Sequence, residues 1–144
     1  MLKIKQFDPT QFLYHYRFTP GRTIDGDTFV ATSIDLGFGT FLHNQTIRLL
    51  RVDAFEKRRS SRATKKYRNL GIYREDYDEV GVRAANFTRD ILNSGRDMIL
   101  ETSIEKIRGN FGRILGEVWY LGSGGLWRNL NDGLVKEGLA YEIG

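Results

Sequence analysis

The sequence predicts an α+β domain that is mainly β, a small five-stranded barrel with two flanking helices. Three observations predict it. Short runs rich in β-branched and aromatic residues recur along the chain, bounded by Gly, Pro and Asn. One segment after Val80 switches to the helical period. At 144 residues, with 40% hydrophobic and 28% charged side chains, the chain suits one compact domain over 1–144 with a core of useful size.

The elements follow in order. Leu13 to Ile24 reads as a first strand, disturbed near Pro20-Gly21 because proline removes a ladder donor; an edge position or a bulge is expected there. Phe29 to Ile34 is a second strand, Gly37 to Thr40 a turn, and Thr46 to Val52 a third strand antiparallel to the second. Residues 57–79 are expected to form a basic loop: from Lys57 to Arg74 there are eight Lys and Arg and no acidic residue. Val80, Ala84, Phe87, Ile91 and Leu92 then share one helical face, and Asn93-Ser94-Gly95 stops that helix. Met98 to Ile104 and Ile114 to Leu121 are the fourth and fifth strands. A last helix from about Leu130 to Glu137 buries Leu130, Leu134 and Val135, with Gly138 ending it. Five strands with a helix between the third and fourth suggest an OB-fold, a Greek-key barrel, although strand patterning alone does not separate it from other α+β barrels.

Composition narrows the chemistry. The 22 basic residues exceed the 18 acidic ones, for a net charge of +4 and a pI near 9.4. That balance favours a polyanionic partner without specifying one. There is no cysteine, so disulfides, thiolate metal sites and cysteine nucleophiles are excluded. With only His15 and His43 present, a zinc site is disfavoured, whereas carboxylate oxygens suit calcium or magnesium. The first residues lack the apolar run of a signal peptide and no stretch is long enough to span a bilayer, so a cytoplasmic protein is expected.

Three segments carry the functional information: Asp25-Gly26-Asp27-Thr28, then Arg48 through Glu56, then Phe111-Gly112-Arg113. They supply carboxylates and two arginines, the groups needed to hold a hard cation beside a phosphodiester. Taken singly each is ordinary, since an Asp-Gly pair is a common turn former and a strand-end Arg a common surface charge. Arg51, three residues beyond Arg48, is expected to be a surface charge on the other face. The basic residues Lys57, Arg58, Arg59, Lys65 and Lys66 directly follow Glu56 and could grip phosphates.

The order, spacing and local sequence of these segments resemble the staphylococcal-nuclease-like (thermonuclease) family, over roughly Leu13 to Tyr141. The resemblance selects the OB-fold among the barrels. It implies a calcium-dependent endonuclease acting on DNA, with RNA left open, as a monomer. It implies Asp27 and Asp53 as calcium ligands, the backbone carbonyl of Ala54 as another, and Glu56 as general base acting on a metal-associated water. Arg48 and Arg113 match the catalytic arginines, and the products implied carry 3′-phosphate ends. Two departures stand out. Phe55 occupies a position where proline commonly aims the following glutamate, which is expected to loosen the base. Phe111 stands where a nucleotide-contacting tyrosine is often found, able to stack but lacking the hydroxyl. The additional C-terminal helix common in the family is also not expected. A catalytically silent OB-fold module binding nucleic acid or protein is the alternative, and a regulatory domain completed within an oligomer is a third.

Overall fold

The computed structural model describes residues 13–57, 68, 71, 77–102 and 112–143. The strands are β1 (His15–Asp25), β2 (Thr28–Gly37), β3 (Thr40–Leu49), β4 (Val52–Ala54), β5 (Met98–Thr102), β6 (Ile114–Leu121), β7 (Trp127–Asn129) and β8 (Ala140–Glu142). The helices are α1 (Tyr77–Leu92), between β4 and β5, and α2 (Leu130–Lys136), between β7 and β8.

β1, β2 and β3 form an antiparallel meander, and β1 also pairs with β5, which pairs with β6. β6 then runs parallel to β3, with Ile47 opposite Ile114 and Arg48 opposite Leu115. That pairing closes β1, β2, β3, β5 and β6 into a five-stranded barrel with two helices, the OB-fold arrangement expected from the sequence. At Pro20 the disturbance takes the form of a bulge. β1 pairs on both sides, and its register against β2 shifts between Thr19–Ser33 and Pro20–Ala31.

Several boundaries differ from the sequence reading. The second and third strands extend to a tight hairpin at Phe38-Gly39, where both residues take left-handed φ angles of 58° and 73°. The expected third strand through Val52 breaks at Leu50-Arg51, where Arg51 takes a left-handed φ of 68°, and β4 leaves to pair with β8 instead. α1 begins at Tyr77, so the basic segment ends before 79; Asp78 and Glu79 in its first turn suit the positive end of the helix. α2 ends where Gly138 adopts a φ of 71°.

Phe29, Ile47, Leu49, Leu100 and Val118 fill the barrel, and Val80, Ala84 and Leu92 of α1 with Leu130 and Leu134 of α2 close its ends. No described helix is long and apolar enough to cross a membrane.

Candidate functional site

The β1–β2 turn and the β3–β4 turn meet at one end of the barrel. Thr28 opposite Arg48 sets the register, and the Leu49 N–H donates to the Asp27 carbonyl at 2.8 Å. This places Asp27, Arg48 and Asp53 side by side. Nη2 of Arg48 lies 3.4 Å from Asp27 Oδ2 and 3.6 Å from Asp53 Oδ1. Its Nη1 donates to the Leu49 and Val52 carbonyls at 2.6 and 2.8 Å. The turn that carries Arg48 therefore also orients its guanidinium. Both carboxylate contacts are longer than a tight charge-assisted bond of about 2.7–2.9 Å, so the anionic charge is shared and only partly compensated.

Asp27 and Asp53 are both buried. Asp27 accepts from the Thr28 hydroxyl and from the Ala54 N–H, each at 2.8 Å. Burial nevertheless pushes its carboxyl above the ordinary carboxylate range; Arg48, the Ala54 N–H and the Thr28 hydroxyl oppose that shift, and Asp53 adds to it. Asp53 accepts from the Tyr141 hydroxyl at 2.7 Å. Because the Ala54 N–H faces Asp27 and not β8, the Ala54 carbonyl lies on that same edge of its strand. Two carboxylates and a nearby carbonyl are hard oxygen donors of the kind calcium takes, at about six to eight oxygens in all. Among the described residues no three His, Asp or Glu side chains converge as a metal group.

Glu56 lies two residues past Ala54 and lines a cleft with Asp25 and Lys57; the Lys57 N–H donates to Asp25 Oδ1 at 3.3 Å. In place of a proline, Phe55 holds this segment by packing. It is buried, edge-on to Tyr141 at 6.1 Å between ring centroids, and its N–H reaches the Leu139 carbonyl. Arg113 stands half-buried immediately before Ile114, which pairs with Ile47, so its chain runs beside the strand bearing Arg48. Phe111, Arg58, Arg59, Lys65 and Lys66 lie outside the described residues.

Three contributors escaped the sequence reading. Gly81 lets α1 lie directly on the Glu56 backbone: a Cβ there would stand 1.8 Å from the Glu56 carbonyl oxygen. The signal was a glycine inside a helical pattern, which costs about 1 kcal/mol and implies a packing reason. Tyr141 holds Asp53. Asn131, fully buried, donates to the Leu50 and Gly116 carbonyls and accepts from the Val118 N–H. Its signal was an amide between the buried Leu130 and Leu134.

Arg51 points away from the Arg48 cluster and lies near the surface, as expected, but it is also the hub of three ion pairs, to Glu117 of β6, Asp132 of α2 and Glu142 of β8. Bonds from Glu117 and then Asp132 raise its already high pKa further and keep it charged. Its carbonyl accepts from the Ile143 N–H at 2.7 Å. Strand alternation could not show these pairs, because the left-handed backbone at this residue ends the strand.

A comparison with protein families matches the model for staphylococcal nuclease homologues over residues 46–143. No curated protein matches the chain. The matched span contains Arg48, Asp53, Ala54, Glu56 and Arg113, and the geometry above joins Asp27 to it from outside.

Proposed function

This chain belongs to the staphylococcal nuclease homologue family, and on that premise we propose that it is a calcium-dependent endonuclease that hydrolyses DNA, with RNA as the second substrate to test. The observation that carries the proposal is the Arg48 guanidinium edge lying between the buried Asp27 and Asp53 carboxylates. Asp27, Asp53 and the Ala54 carbonyl would hold calcium, which supplies positive charge beside the phosphate and the attacking water.

Glu56 takes the proton of a water that attacks phosphorus in line, and the bond to the 5′-oxygen breaks as that oxygen takes a proton from solvent water, leaving a 3′-phosphate and a 5′-hydroxyl. Arg48 and Arg113 meet the equatorial oxygens of the phosphate with planar, permanently charged forks, which an ammonium group cannot reproduce. The phosphate competes for guanidinium donors that the two aspartates engage only at long range. Lys57 and the basic segment after it, with Phe111, would contact the flanking nucleotides.

A fluorogenic oligonucleotide assay tests this directly: turnover with calcium, none with chelator, and 3′-phosphate ends on the products. Replacing Glu56 with Gln is expected to lower cleavage at least about 100-fold while sparing binding, within the range general-base catalysis contributes. The second reading is a silent OB-fold module that binds nucleic acid or protein. Salt-sensitive oligonucleotide binding without turnover under any divalent ion would favour it.

A further inference from the structure

A cleft of about 370 Å³ opens beside the carboxylate–guanidinium cluster, lined by Arg22, Thr23, Ile24, Asp25, Glu56 and Lys57. Its size lies within the roughly 300–1,000 Å³ of ordinary ligand sites. β1 contributes four of these residues, and the Lys57 N–H bond to Asp25 ties the two walls together. Arg22 is exposed, and among the described residues its guanidinium has no ion-pair partner. Thr23 has a buried hydroxyl without a hydrogen-bond partner among those residues. The inner wall is Glu56 itself, so a chain seated in the cleft leads to the residue assigned as base.

We propose that this cleft is a second subsite for the same nucleic-acid strand, in which Arg22, with Lys57 beside it, binds the phosphate neighbouring the scissile one. The position of the scissile phosphate rests on the nuclease reading above; the affinity of the cleft for a phosphodiester does not. An exposed guanidinium with no ion-pair partner among the described residues is a planar fork suited to two phosphate oxygens. The Asp25 and Glu56 carboxylates also line the cleft, and the Arg22 and Lys57 cations match their charge.

The test measures anisotropy of a labelled single-stranded octanucleotide in chelator, over a series of salt concentrations, with wild-type protein, R22Q and R22K. R22Q is expected to weaken binding about tenfold at low salt and to reduce the slope of log K against log salt by about one. R22K, which keeps the charge, is expected to retain the slope. Unchanged affinity and slope in R22Q, equal losses in both variants, or no binding by the wild-type protein would each overturn the subsite. Cleavage of the same oligonucleotide in calcium separates the two proposals. Arg22-dependent binding without cleavage removes the hydrolytic reading and keeps the subsite, whereas cleavage with Arg22-independent binding does the reverse.

Discussion

Asp27 keeps its place away from water because three donors face it: the Thr28 hydroxyl, the Ala54 N–H and the Arg48 guanidinium. Burial still favours its neutral form and lifts its pKa above the usual carboxylate range. The native state therefore binds that proton more tightly than the unfolded chain, so this group lowers stability as the pH rises through its folded-state titration. D27N removes the charge and leaves an oxygen for the Ala54 N–H. In chelator at neutral pH it is expected to melt about 2–5 °C above wild type, with the difference closing as the pH falls through the Asp27 titration. A gap that widens toward acid would contradict this origin. In calcium the variant is expected to be inactive, since a ligand is gone.

At the scale of elements, α1 and the β3–β4 turn do most to position the site. α1 lies against the Glu56 backbone through Gly81, and Ala84 lies against Gly26, while the Thr88 hydroxyl donates to the Gly26 carbonyl at 2.6 Å. Alanine is a better helix former than glycine, so propensity alone predicts that G81A stabilises by about 1 kcal/mol. The clash predicts the opposite, a loss of about 1–3 kcal/mol, with cleavage reduced about 100-fold as Glu56 shifts. Denaturant unfolding and kcat decide between these outcomes. The β3–β4 turn depends on Arg51, whose ion pairs are formed from a left-handed backbone. R51A loses the pairs and keeps the strain; R51G loses the pairs and relieves it. R51G is therefore expected to be the more stable of the two by about 0.5–1 kcal/mol, measurable by urea midpoints.

For the whole molecule, closure of the barrel by the parallel β3–β6 pairing brings the Arg113 chain beside the strand of Arg48, and the β4–β8 pairing brings Tyr141 to Asp53. Metal binding at residues drawn from separate parts of the chain stabilises only the folded state. Calcium at a hundred times its Kd is expected to raise the melting temperature by about 6–10 °C, corresponding to about 2.7 kcal/mol. D53N is expected to lose that rise. A melting temperature indifferent to calcium in the wild-type protein would remove the metal from the proposed function.

Read alone, the sequence determined the order of the five barrel strands and two helices and the stop at Gly138, because local periodicity and turn residues are properties of neighbouring positions. The disturbance at Pro20 was legible for the same reason, a missing N–H being a local fact, and the pairing on both sides of β1 made it a bulge and not an edge. What only the tertiary structure decided was which groups share a pocket. Arg48 between Asp27 and Asp53, Tyr141 on Asp53, Gly81 against Glu56 and Arg51 among three carboxylates all join residues distant in sequence or separated by a turn. β4 and β8, three residues each, are strands only because they pair with one another. Such relations depend on burial and on cross-strand partners, and neither is encoded in the pattern of a single segment.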